Sequence, residues 1–410
     1  MPHHIRFSFS KSFSCQTNKL PNQPAMNKRL TWFSLLLFLS IGVWLTQTVS
    51  WRQAALFAVG GALGIVLYHA QFGFTSAYRV FISERRGAGI RAQMGMLALA
   101  CLLFFPALNA GSLFDIPLKG NVGQIGLSLF VGSFLFGIGM QLGSGCASGT
   151  LYTVGGGSVR MIVTLCFFIA GSVLGTLHME WWDTTPHIPG ISILEQMGLV
   201  PALLINLLLF ASIVGVTILL ERRRHGQLLS SEASHTTGWR RALQGTWPLW
   251  AGALALAVLN FATLVLAGKP WGITGAFALW GMKFLSITGV DVTSWSYWST
   301  PARTAQLNGS LAADITTMMN VGIMLGALLA AALAGNFAPR WRVPLGSLLA
   351  AIIGGLLMGY GARLAYGCNI GAYFSGVASG SVHGWLWFLM ALAGSYFGVW
   401  ARPKFGLSKT

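Results

Sequence analysis

The sequence predicts an all-α polytopic membrane protein. It is built from two inverted-topology repeats whose short, broken or re-entrant helices meet at a central, hourglass-like constriction. Three observations predict this. The chain is 54% hydrophobic and only 9% charged, against roughly 25% charged residues in soluble domains. Several apolar runs approach the ~20 residues needed to cross a hydrocarbon core. One glycine-cysteine element occurs twice: Gly137 to Gly149, around Cys146, and Gly359 to Gly371, around Cys368. Both read G-x-G-x-x-L-x-x-G-C-x-x-G without a gap.

Taken in order, residues 1–25 are polar and aperiodic and read as a disordered tail, with Met26 as an alternative start. Lys28-Arg29 precedes a long apolar run to Val49 that lacks an A-x-A cleavage site, so 26–52 reads as a retained first span. Residues 53–196 form the first repeat, with apolar segments near 53–70, 92–112, 123–142 and 160–178. Residues 197–247 hold a connecting span and a basic linker carrying Arg222 to Arg224, Arg240 and Arg241. Residues 248–402 form the second repeat, with segments near 248–268, 316–334, 345–364 and 384–401, and 403–410 is a tail.

Further matches align the halves. Phe72 to Ala77 corresponds to Trp271 to Ala276, sharing G-x-T-small-Ala. Gly157-Ser158-Val159 matches Gly380-Ser381-Val382, and Ala170-Gly171-Ser172 matches Ala393-Gly394-Ser395. Helix breaks at membrane depth are tolerated only where they are buried in protein or line a cavity. Breaks are expected around Gly73, Cys146, Gly272 and Cys368.

The net charge of +17 does not indicate nucleic acid, because the basic residues lie in short loops beside apolar spans. The positive-inside rule accounts for them. Arg85, Arg86 and Arg91 follow the first G-x-T element, whereas the next loop holds Asp115 and Lys119. In the second half the order reverses: Asp291, Arg303 and Asp314 come first, then Arg340 and Arg342. The repeats therefore have opposite topology, with both termini cytoplasmic and 179–196 outside.

Each Gly-Cys element places a thiol at the start of a short segment, where free N–H groups and the helix dipole favour an anion. A neutral thiol is polarisable and a weak donor, suited to a soft sulfur-containing anion. A buried cysteine is often only a small packing residue, and Cys101 and Cys166, without counterparts, keep that reading. Recurrence between glycines separates Cys146 and Cys368 from them. The candidate pathway comprises Cys146 and Cys368 with Gly145, Gly149, Gly367 and Gly371. It also includes Gly73 and Thr75, Gly272 and Thr274, and Arg363 with its repeat counterpart Gln141. Arg79, Arg160 and Lys283 read as interfacial, and Trp295 to Trp298 as an interfacial belt. No P-loop, H-E-x-x-H or zinc spacing occurs, so neither a metal nor another cofactor is expected. All nine acidic residues fall in predicted loops or at span ends, which disfavours a carboxylate proton relay within the membrane.

At these residues the chain resembles the YeeE/YedE family of bacterial sulfur-compound transporters, from about residue 53 to 402. The resemblance implies an inner-membrane permease for a small sulfur-containing anion, thiosulfate first. Cys146 and Cys368 would then be the solute-contacting thiols, and a small TusA-like sulfur carrier the cytoplasmic partner. Thiosulfate-type members carry a further cysteine in an R-F-C-L-T-G-G element, and Gly73 takes that position here. Another sulfur or selenium species is the alternative solute. A membrane sulfurtransferase passing persulfide sulfur to a carrier is the alternative activity. Both repeats lie in one chain, so a monomer is the expected working unit.

Overall fold

The computed structural model describes residues 26–229, 238–339 and 341–409. The tail at 1–25, with Cys15, lies outside the described residues, as does Arg340, and the side chain of Arg240 is likewise outside them. Among the described residues ten segments are long and apolar enough to cross a membrane. Sheet among the described residues is confined to two-residue ribbons, 112–113 with 116–117 and 125–126 with 187–188, and an isolated bridge between Ser192 and Ser381.

The first half runs α1 (Lys28–Thr48), α2 (Trp51–Ala70), α3 (Phe74–Glu84), α4 (Ala88–Ala110), α5 (Leu127–Gly143), α6 (Ala147–Gly155) and α7 (Val159–Leu177). The second runs α8 (Leu199–His225), α9 (Leu249–Ala267), α10 (Thr274–Ile287), α11 (Ile315–Leu333) and α12 (Leu345–Leu364). A π turn (Asn369–Phe374), α13 (Ser375–Ala378) and α14 (Val382–Ala401) complete it. Local chemistry sets the ends. Ser50 accepts from Gln53 N at 3.1 Å and Asp314 from Thr317 N at 2.8 Å, as side-chain N-caps do. Ser144 ends α5 in the left-handed region at φ 63°. The first half of the basic linker is helical, since α8 continues through Arg222, Arg223 and Arg224 to His225.

Contacts follow the repeat. α2 packs on α11 as α9 packs on α4, and α7 packs on α12 as α14 packs on α5. The pairs α2–α9 and α5–α12 join each element to its own counterpart. Four spans lie between α2 and α9 in chain order, so the two cross in opposite directions. α1 packs on α2 and α11, with Phe38 stacked on Phe57 at 4.5 Å. α8 packs on α4.

Lipid offers little hydrophobic drive for helices to associate, so close backbone approach must supply the packing. Small-xxx-small spacing provides it. Gly60 and Gly64 of α2 face the Met319 and Ile323 carbonyls, while Gly322 and Gly326 of α11 face those of Phe57 and Gly61. Gly355 and Gly359 of α12 meet α7, and Gly394 and Gly398 of α14 meet α5, in the same way.

The four short elements begin at the four expected breaks. α3 and α6 dip in from the face carrying the described loop residues 85–87, 226–229, 245–248 and 334–339. α10 and the π turn with α13 dip in from the face carrying the 111–126, 178–198 and 288–314 loops. α6 and the π turn touch each other at the centre. One expectation is corrected. Trp298 is not part of an interfacial belt, because it is 2% exposed and packs with Val173, Ala278 and Met282. The loop after α10 folds back onto the bundle and carries it inward.

Candidate functional site

Cys146 is the N-cap residue of α6, and Cys368 precedes the π turn. Both are buried and lie within electrostatic reach of each other. Their surroundings are neutral. Cys146 Sγ lies 3.3 Å from Ser148 Oγ, and Ile370 N donates to Cys368 Sγ at 3.4 Å. The flanking glycines keep the backbone close to the sulfurs. A Cβ on Gly149 would stand 3.6 Å from Cys146 Sγ, and one on Gly371 would stand 4.0 Å from the Gly272 Cα. Gly367 has φ 149°, which a side chain would strain, and a Cβ on Gly145 would press on the Met161 methyl.

A cavity of about 350 Å³ opens beside the Cys368 element. Gly272, Thr274, Gly367 and Gly371 line it, together with Lys119, Lys269 and Arg363. Among the described residues no carboxylate joins that lining. Arg363 is held from outside, donating to Tyr297 Oη at 2.8 Å. Arg303 stacks on the same ring at 3.7 Å. The positive charge therefore has a fixed place at the cavity wall.

Gln141, the counterpart of Arg363, is placed differently. It is buried and donates to the Thr75 carbonyl at 3.2 Å, tying α5 to the first turn of α3. Thr75 Oγ1 finds no protein partner. Gly73 lines a smaller cavity of about 220 Å³ with Gln71, Ser76, Arg86 and Gly89. Gly272, Gly275 and Thr316, at corresponding positions, line the larger one.

On the Cys146 side a cavity of about 450 Å³ is lined by Tyr68, Tyr152, Ser158, Arg160, Arg342 and Ser347, among others. Tyr152 lies within electrostatic reach of Cys146. Arg160 is partly committed to structure, donating to the Gly143 and Leu142 carbonyls at 2.9 and 2.8 Å. Arg402 donates to the Gln141 carbonyl, so two arginines cap the end of α5. Lys283 likewise donates to the Leu307 and Gly309 carbonyls, both at 2.7 Å. His69 stacks on Trp247 at 5.4 Å, away from the thiols. Cys101 donates to the Val377 carbonyl at 3.6 Å, and Cys166 is exposed on α7.

The Cys368 element thus borders one cation-lined cavity through Gly367 and Gly371, the Cys146 element borders another through Tyr152 and Thr153, and both thiols are buried. Charge at the mouths attracts an anion. A neutral thiol can offer such an ion a weak donor without a fixed charge that would trap it. In the sequence Lys119 reads only as a loop charge, Lys269 carries no motif that singles it out, and Tyr297 falls within the Trp295 to Trp298 stretch. Tyr78, Asn369 and Tyr373 beside the thiols carry no repeat signal, because their counterparts are Phe277, Ala147 and Leu151.

A family model described as sulphur transport matches residues 69–397. The chain is 30% identical to the thiosulfate transporter TsuA of Spirochaeta thermophila over 351 residues, 83% of this chain and 96% of that one. It is 24% identical to TsuA of Escherichia coli over 363 residues, 84% and 94% of the two chains. It is 35% identical to the probable transporter YedE of Escherichia coli over 155 residues, a match spanning 37% of each chain.

Proposed function

Because the chain belongs to the sulphur-transport family, we propose that it is a permease for a small sulfur-containing anion, with thiosulfate as the first solute. One observation carries this: two buried thiols, one from each repeat, stand between two cavities lined by cations. Solute enters the cavity of Lys119, Lys269 and Arg363, meets Cys368 and then Cys146, and leaves through the cavity of Tyr152, Arg160 and Arg342. Neutral thiols present a weak S–H donor and a polarisable surface to the terminal sulfur of thiosulfate. A thiolate would repel it.

The face bearing Arg86, the Arg222 to Arg224 cluster, Arg342 and Lys404 is assigned to the cytoplasm by the positive-inside rule, in the inner membrane of a bacterium. A TusA-like sulfur carrier would receive solute at this basic face. A monomer holds both halves of the path. Gly73, where thiosulfate-type members have a cysteine, borders the cavity of Gln71 and Arg86 rather than the contact between the two Gly-Cys elements. Two thiols therefore suffice in this reading.

Persulfide transfer has weaker support, because a nucleophilic cysteine needs an activating base. The hydrogen-bonding side chain beside Cys146 is the Ser148 hydroxyl. The test is uptake of radiolabelled thiosulfate into proteoliposomes, with unlabelled selenosulfate or sulfate as competitor, and mass analysis of the protein afterwards. Saturable uptake and unmodified cysteines support the permease. A sulfur atom retained on Cys146 or Cys368, without uptake, supports the sulfurtransferase instead.

A further inference from the structure

Three polar side chains beside the thiols have no role in the account so far. Tyr78 of α3, Asn369 and Tyr373 are each 0% exposed. The hydroxyls of Tyr78 and Tyr373 and both polar atoms of the Asn369 amide find no protein hydrogen-bond partner. These atoms are close together. Asn369 directly follows Cys368. The Tyr78 oxygen lies within reach of Tyr373, Cys146 and the Asn369 amide, although no hydrogen bond closes between them.

The rings are held in place. Tyr373 stacks on Phe388 at 5.0 Å and on Trp387 at 6.2 Å, and Phe74 meets it edge-on at 6.3 Å. Tyr78 meets the other edge of this cage at Phe388, 5.7 Å away. A buried polar group without a partner is costly and calls for an explanation. The fold itself does not require polarity here, since the corresponding positions of the other repeat are Phe277, Ala147 and Leu151. The backbone carrying Asn369 and Tyr373 is a π turn, a distortion frequent at functional sites.

We propose that Tyr78, Asn369 and Tyr373 form a neutral hydrogen-bonding station between the two thiols that binds the oxygen atoms of the passing anion. The proposal rests on the permease reading and deepens it. A thiosulfate-like solute has two chemically different ends. The thiols suit the soft terminal sulfur, whereas two hydroxyls and an amide N–H₂ suit the hard oxygens. Three neutral groups replace hydration between the thiols without a charge that would hold the ion. Their absence from the opposite repeat makes the binding step one-sided, so the solute has a preferred orientation.

The test uses the full chain in proteoliposomes and detergent. Tyr78→Phe and Tyr373→Phe remove only a hydroxyl that has no protein partner, and Asn369→Leu removes an amide of similar size. Each is expected to raise the KM for thiosulfate uptake by about 5- to 50-fold, by loss of one buried hydrogen bond to the solute. Each also diminishes the thermal shift that thiosulfate induces. The melting temperature without thiosulfate stays level or rises, because nothing in the protein is left unpaired. Three variants within twofold of wild-type KM, with wild-type uptake intact, overturn the station while the permease stands. A lower melting temperature without thiosulfate, together with an unchanged thiosulfate shift, assigns these side chains to structure and overturns it too. No wild-type uptake or thermal shift with thiosulfate removes the permease reading and the station with it.

Discussion

Neutralising Lys269 or Arg363 should weaken solute capture without slowing passage once the site is full. A cavity of about 350 Å³ equals a sphere of radius about 4.4 Å, so an anion at its centre lies about 6 Å from a charge in the wall. At that distance one unit charge interacts with another by about 2.8 kcal/mol at an effective dielectric of ~20, and by about 0.7 kcal/mol at ~80. An open vestibule falls between these limits, and salt screens it further. Thiosulfate carries two charges, which doubles these energies, so Lys269→Gln or Arg363→Gln should raise its KM by about 10-fold or more, since 1.4 kcal/mol is tenfold. The maximal rate should hold. Tyr297→Phe keeps the charge of Arg363 but removes its 2.8 Å partner, so its effect should be smaller. The assay is initial uptake into proteoliposomes over a concentration series, at low and high external salt. The variants should converge on wild type as salt rises. A KM unchanged at low salt, or an equal loss at every salt concentration, would refute the electrostatic reasoning.

Other outcomes follow from packing and from the remaining cysteines. Gly64→Leu drives a side chain into the Ile323 carbonyl across the α2–α11 crossing. It should destabilise by about 1–3 kcal/mol or more, seen as a lower melting temperature in detergent. Glu221, fully buried, pairs with Arg91 at 2.7 Å and accepts from Gly87 N and Leu229 N. Glu221→Ala strands those groups and should cost about 3–5 kcal/mol. Glu221→Gln should cost less, measured by the same melting curves. Cys101→Ala and Cys166→Ala should leave thiosulfate uptake near wild type, and loss of uptake in either would break the distinction drawn between the two pairs of cysteines.

Much of this architecture was legible because membrane depth restricts what the backbone can do. A helix broken in hydrocarbon must find partners in protein or in a cavity. Gly73, Gly272 and the two Gly-Cys elements therefore stand out as breaks, and each begins a short helix or π turn. Repetition then located the thiols, since symmetry constrains the same positions twice. The same filter concealed Tyr78, Asn369 and Tyr373, whose polar atoms have apolar counterparts. Charge was legible in sign but not in place. Lys119 reads as a loop residue and Lys269 is not marked by any motif, and only the fold of the 111–126 loop against the start of α10 and the π turn brings them to one cavity. Arg363 and Gln141 occupy equivalent positions and differ in use. One is held by Tyr297 at a cavity wall, the other is fastened to the Thr75 carbonyl. The Trp295 to Trp298 stretch has the composition of an interfacial belt, and only the return of the loop after α10 buries Trp298.

The most direct measurement is uptake of radiolabelled thiosulfate by wild type, Cys146→Ala and Cys368→Ala, in cells lacking their own importers and with membrane levels of each protein quantified. The two-thiol pathway predicts clear wild-type uptake and loss of nearly all of it in both variants at matched protein levels. Wild-type uptake that survives either substitution would contradict the pathway.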